Sequence, residues 1–230
     1  MPTPRERART QTMADIRRIG RRHLAEHGAA ALSLRAVARD LGVVSSAVYR
    51  YVPSRDALLT LLIEDAYTDL GAAVTKAEQL APREDFRGRW LSIAHAVRRW
   101  ALAEPARYGL LYGSPVPGYA APAERTSEPG TRVPRLVIEL MAEAHAAGKV
   151  RPIRGEGVLT DRLRQDLAAI MREVGAELPD ELVAALLLGW VSLFGTVSFE
   201  VFGQYGVDTI STPEALFEHQ ITTLAETIGL

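Results

Sequence analysis

Cysteine is absent from this 230-residue chain, which excludes a disulfide framework, a thiolate zinc finger and a cysteine nucleophile. Lysine is nearly absent as well, 2 residues against 25 arginines, a bias of codon usage more than of chemistry. Period-two alternation of apolar residues is missing, so the chain reads as helical throughout. No apolar run is read as reaching the roughly 20 residues of a membrane span. The polar, arginine-rich start lacks the apolar core of a secretion signal, so a cytoplasmic protein with no membrane partner is expected. G-x-S-x-G, H-E-x-x-H and a phosphate-cradling glycine loop do not occur, and no enzymatic activity is expected. Of the histidines, only His23 and His27 stand at i,i+4 spacing, and nothing nearby completes a ligand set. No metal and no cofactor are expected; His27 beside Gly28 reads as a cation at a helix C-terminus.

What is present begins with charge. At 47% apolar and 24% charged, the chain can bury the core of one small and one medium domain. The net charge of −1 conceals an asymmetry: residues 1–55 hold eleven arginines and four acids, a net +7, so the remaining 175 residues carry −8. A basic head on an acidic body fits a DNA-binding module joined to a body that binds something else. Solvated charged faces are the plain alternative, disfavoured because the basic segment coincides with a motif.

That motif is SLRAVARDLGVVSSAVYRYVPSRDAL, residues 33–58. It predicts helices at 34–41 and 45–51 around a glycine turn, then the start of a third helix, which is how a helix-turn-helix DNA reader is built. Val37, Leu41, Val43, Val48 and Tyr51 supply apolar contacts between the two short helices, and Ala38 is small where they cross. Gly42 stands where the turn wants a positive φ, and Ser45 or Ser46 is expected to cap the second helix. Arg35, Tyr49, Arg50, Tyr51 and Arg55 are the candidate phosphate and base donors. Arg5, Arg7 and Arg9 read equally as a minor-groove or phosphate-tracking arm and as a frayed tail.

Around the motif, helical spacing predicts a first helix over 12–27 and a long one over 54–79, capped by Ser54. Further helices are expected at 84–103, 105–112, 132–147, 160–175, 179–202 and 213–228. Residues 113–131, rich in proline and glycine, are expected to form an irregular loop. The helix over 179–202 is apolar on most of its surface, which suits burial against a second copy; a central helix in a monomer is the alternative. His95, Trp100, Tyr108, Tyr112, His145, Trp190 and Phe194 are candidates for lining a small-molecule pocket, each also readable as ordinary core.

Residues 24–59, with L-S-x-R-x-V-A, L-G-V and V-Y-R-Y-V-x-S-R-x-x-L in register, resemble the TetR family of bacterial transcriptional regulators. The segment from Glu104 to Tyr119 resembles a narrower subgroup that also carries W-x-x-x-H-G; here that motif runs from Trp190 to Gly195, with Phe194 in place of histidine. The resemblance implies that Arg35 reaches a base edge or phosphate and that Ser45, Ser46 and Ala47 face the major-groove floor. It implies that Tyr49, Tyr51 and Arg55 hold the backbone, and that Ser33 caps its helix and bonds a phosphate. Tyr51 reads equally as packing. Short side chains in the reading helix leave much specificity to Arg35, Arg50 and the shape of the site.

The expected architecture is all-α: a three-helix helix-turn-helix DNA-binding domain over 1–53, and a helical-bundle ligand-binding and dimerisation domain over 54–230 with 54–79 as connector. The expected function is a ligand-responsive repressor that binds a palindromic double-stranded DNA operator as a homodimer through helices 179–202 and 213–228 and is released by a small molecule. The alternative is a constitutive dimeric DNA-binding protein whose body serves dimerisation or a protein partner.

Overall fold

The computed structural model describes residues 3–153 and 157–230. Among these, the helices are α1 (Pro4–His27), α2 (Leu34–Leu41), α3 (Ser45–Tyr49), α4 (Arg55–Gln79), α5 (Phe86–Ala103), α6 (Pro105–Tyr112), α7 (Ala123–Ala146), α8 (Asp161–Val174), α9 (Asp180–Val201) and α10 (Pro213–Thr227), with one 3₁₀ turn at Ala29–Ala31. No strand occurs among the described residues. Contacts divide the chain into two compact units: Met1–Asp69 with Ala103–Gly130, and Leu70–Leu102 with Thr131–Leu230. By contacts, then, the head extends past residue 53 to take in residues 55–69 of α4, all of α6 and the start of α7.

Two boundaries differ from expectation by two turns or more, each for a clear reason. α1 begins at Pro4 rather than Thr12, because Thr3 and Glu6 form a capping box: Thr3 Oγ1 accepts the Glu6 N–H at 3.2 Å and Glu6 Oε2 accepts the Thr3 N–H at 2.6 Å. α7 begins at Ala123, so the irregular loop spans only 113–122. Pro129 and Pro134 lie inside α7, where each removes one ladder donor without ending the helix.

The first unit is built on the buried stripe of α1, Ile16, Ile19 and Leu24, packed with Leu34, Val37 and Ala38 of α2, Val48 of α3, and Leu58, Leu59 and Leu62 of α4. Polar pins set the helices in register. His23 Nε2 lies 2.7 Å from Asp40 Oδ2, joining α1 to α2. Arg21 makes a bidentate pair with Asp65 at 2.6 Å on both arms, and the buried Arg107 reaches the same carboxylate at 3.4 Å, the Asp65 carbonyl at 3.1 Å and Asp69 at 2.7 Å. The 113–122 loop is held down as well. Tyr119 Oη lies 2.9 Å from Thr60 Oγ1, and Val116 and Tyr119 pack on the head core.

The second unit centres on α5. Trp90 is 1% exposed and donates through Nε1 to the Ile221 carbonyl of α10 at 3.1 Å. Gly189 lets α9 approach here: a Cβ on it would lie 2.8 Å from Ile228 Cγ2. Arg98 forks onto Glu200 at 2.7 and 2.6 Å and lies over the Phe217 ring. By length and composition α9 is apolar enough to cross a membrane, with mean hydropathy 2.0 over a window of which 44% is buried, so the expectation that no run reaches that length is corrected. Gly189, Ser192, Gly195, Thr196 and Ser198 interrupt the run residue by residue, but the average tolerates them.

Among the described residues of this unit Arg89 is the most deeply buried cation: its side chain is 1% exposed and donates to Glu78, itself 3% exposed, at 2.6 Å and to Glu143 at 2.8 Å. Truncating one partner of such a pair strands the other. Arg89→Ala is therefore expected to cost about 3–5 kcal/mol in urea unfolding. The double variant Arg89→Met/Glu78→Gln, which strands no charge at Glu78, is expected to recover part of that loss.

Candidate nucleic-acid interface

Gly42 ends α2 in the left-handed region, φ 73° and ψ 25°, as the turn requires. The Val43 N–H then closes on the Ala38 carbonyl at 3.1 Å, which aims the chain into α3. Ser33 caps α2, its Oγ accepting the Ala36 N–H at 3.5 Å, and Ser54 caps α4, accepting the Ala57 N–H at 3.0 Å. Neither Ser45 nor Ser46 caps α3. The cap residue is Val44, with no side-chain hydrogen bond, which leaves both serines inside the helix. α3 stops at Tyr49, earlier than expected, because the Tyr51 and Val52 N–H groups both turn back to the Val48 carbonyl at 2.9 Å.

This short helix buries one residue, Val48. Ser46, Tyr49 and Arg50 are exposed, Ser45 and Ala47 half-buried, and Arg35 stands exposed on α2. Val43, expected to pack between the helices, is 40% exposed, and Val44 beside it is 71% exposed. Sequence reasoning missed these two as surface residues. Apolar side chains at that edge suit a thymine methyl. The signal available was the V-V pair after Gly42, where a turn can bury neither.

Two candidates are committed internally. The Arg55 guanidinium donates to the carbonyls of Ala29 and Ala30 at 3.0 and 3.2 Å, tying α4 to the turn that ends α1. Tyr51 packs against the head core, with the Arg9 guanidinium 5.7 Å over its ring. The hydrogen bond from His23, with a smaller contribution from Arg22, holds the Asp40 carboxyl below its usual range.

The candidate pocket residues do not fall in one unit. Tyr108 and Tyr112 belong to the first, with ring centroids 5.1 Å apart and Tyr67 edge-on to Tyr112 at 6.3 Å. Burial pushes the Tyr112 hydroxyl far above its ordinary pKa, so it stays protonated. The other five lie in the second unit. His95 pairs with Glu218 at 2.9 Å and packs on Phe217; Trp100 is 8% exposed; His145 borders a depression with Pro152 and Leu182. Trp190 and Phe194 pack ring to ring at 4.3 Å. Of the five, Trp190 alone lines the apolar cleft that opens between α7, α8 and α9, a space of about 150 Å³ walled by Val137, Ile138, Met171, Val183 and Leu186, with no charged side chain.

Comparison with known proteins gives a consistent picture. Residues 16–62 match the family model of bacterial regulatory proteins of the tetR family, and residues 90–224 match the tetracyclin repressor-like C-terminal domain. The HTH-type transcriptional regulators Mb1846 of Mycobacterium bovis and Rv1816 of Mycobacterium tuberculosis are each 45% identical over 98% of this chain and 95% of their own. The crystal structure of SCO4313, a protein assigned a regulatory role, superposes with a TM-score of 0.76 at 33% identity, covering 97% of this chain and all of that one. A tetR-family regulatory protein from Rhodococcus RHA1 shares the fold at 17% identity, with a TM-score of 0.61 over 94% of this chain and 96% of its own.

Two substitutions separate reader from buttress. With a duplex selected from a randomised pool, Tyr49→Ala is expected to weaken anisotropy-measured binding about tenfold or more while leaving the unfolding midpoint in place. Arg55→Ala is expected to lower head stability by about 1 kcal/mol through its lost carbonyl bonds. Asp40 gives a pH signature. Its folded pKa lies below the unfolded one, so its stabilisation is complete above about pH 4–5 and is lost as pH falls through the folded value. Asp40→Asn is expected to flatten the acid limb of a stability-versus-pH curve.

Proposed function

Because the chain belongs to the TetR family and is a DNA-binding transcriptional regulator, we propose that it is a cytoplasmic repressor that grips a palindromic operator as a homodimer and lets go when a small molecule enters its second unit. The observation that carries the ligand half of this reading is the apolar cleft between α7, α8 and α9. The cleft, with the exposed Ile170 and Leu187 on its lining, has room for a guest about the size of a benzene ring. An uncharged, hydrophobic effector is the chemistry such walls recognise.

Dimerisation is supported by the outer face of α9. Leu188, Val191, Phe199 and Phe202 are 54%, 66%, 46% and 42% exposed at helical spacing, and a Cβ on Gly195 in their midst would meet nothing within 4 Å. Beside them Ser192 and Thr196 of α9 share a shallow groove with His219 and Thr223 of α10. Together these present the two helices as the surface that a second copy covers. Two heads on one rigid pair would then enter successive major grooves.

The helix that carries the signal is α4, with residues 55–69 in the first unit and 70–79 in the second. Its Asp65 holds both Arg21 of α1 and Arg107 of α6, so displacing α4 displaces α1 and, with it, the core that receives Val48 of α3.

The test is reciprocal. An apolar effector found by thermal-shift screening is expected to weaken operator binding roughly 5–150-fold, and operator DNA to weaken effector binding by the same factor. Independent binding of the two would refute the release mechanism. Val191→Glu is expected to yield monomers in sedimentation velocity and to lose operator affinity.

A further inference from the structure

The first three turns of α1 are an ordered helix, and what they present follows from one stripe of that helix. Ile16 is fully buried and Met13 packs on the head core. One turn earlier on the same face stands Arg9, and one turn before that Arg5. The stripe is apolar where head core lies beneath it and becomes arginine where that core ends. Arg9 marks the place: its guanidinium lies 5.7 Å over the ring of Tyr51, two residues beyond the end of α3. Arg5 stands about 6 Å further along the helix, at 1.5 Å per residue. Both are exposed, and Arg5 and Arg7 make no ion pair among the described residues. The one acid of this stretch, Glu6, is occupied by the Thr3 N–H in the capping box.

We propose that Arg5 and Arg9 form a phosphate clamp, a rigid helical arm that grips the DNA backbone flanking the groove entered by α3. The inference rests on α3 as the reader. The Tyr51 contact fixes Arg9 beside the exposed end of that helix, so the polyanion that α3 meets is the anion within reach of the stripe. The helix also makes the proposal directional. Arg7 sits two residues from each, some 200° away at 100° per residue. It carries the same charge on the opposite face, outside the clamp.

That geometry supplies its own control. Full-length wild type, Arg5→Ala/Arg9→Ala, Arg5→Ala alone and Arg7→Ala are compared on a selected operator duplex by anisotropy over a salt series, with hydroxyl-radical footprinting of the flanks. Arg5→Ala removes no hydrogen bond or ion pair among the described residues, and unfolding midpoints check both variants. The double variant is expected to weaken binding about tenfold or more, to flatten the slope of log affinity against log salt by about one unit per arginine per head, and to lose flanking protection. Arg5→Ala alone is expected to show part of each effect, and Arg7→Ala almost none. An equal loss from Arg7→Ala means that net charge alone is at work and overturns the clamp. So does wild-type binding by the double variant, which reduces the stripe to packing on Tyr51. Tyr49→Ala separates the two failures: if it too leaves binding unchanged, α3 is not the reader and the clamp falls with it.

Discussion

One carboxylate organises the first unit. Asp65, on α4, takes a bidentate pair from Arg21 of α1 and a second guanidinium from Arg107 of α6. Its side chain is 14% exposed and that of Arg107 is 3% exposed, so this pair is not a surface pair dispersed by salt, whereas Arg21 is 38% exposed. The Asp65 hydrogen bond is also what raises the Arg21 pKa most. Apolar packing alone allows helices to slide and roll. A forked pair fixes distance and angle together. α3, five residues long with one buried side chain, is too slight to position itself and takes its place from the turn at Gly42 and from the core that receives Val48.

The same economy explains the division of labour among polar residues near the turn. Arg55 and His23 satisfy internal acceptors, Tyr51 packs, and Ser33 and Ser54 cap helices. What remains outward on or next to α3 is short or apolar apart from Tyr49 and Arg50. With α3 as the proposed reader, recognition on such a face would lean on methyl contacts, on backbone grip and on the shape of the duplex more than on bidentate base reading.

The helix-turn-helix was legible because its signals are local. Gly42 at a positive φ, Ser33 before an apolar turn and Pro53 after α3 act within four residues of where they stand. The start of α1 was not, because an arginine-rich stretch has no apolar period, although T-P-x-E at residues 3–6 spelled a capping box with proline at its first turn. α7 was misjudged at its start because Pro129 and Gly130 punctuate on paper, whereas the helix tolerates them. The pocket was the least legible. Tyr108 and Tyr112 are one turn apart and do meet, but which unit claims them, and that Trp190 faces α7 and α8 while His95 turns to α10, depends on tertiary packing that spacing does not encode.

The length of α4 has a mechanical meaning. Twenty-five residues of α-helix make a rod of about 37 Å, with no proline along it to bend. Such a rod converts angle into distance: tilting it by about 5° about one end carries the other end about 3 Å, roughly the separation of neighbouring base pairs along one DNA strand. In the release mechanism proposed above, leverage along such a rod, rather than the size of the ligand, would set how far a head travels.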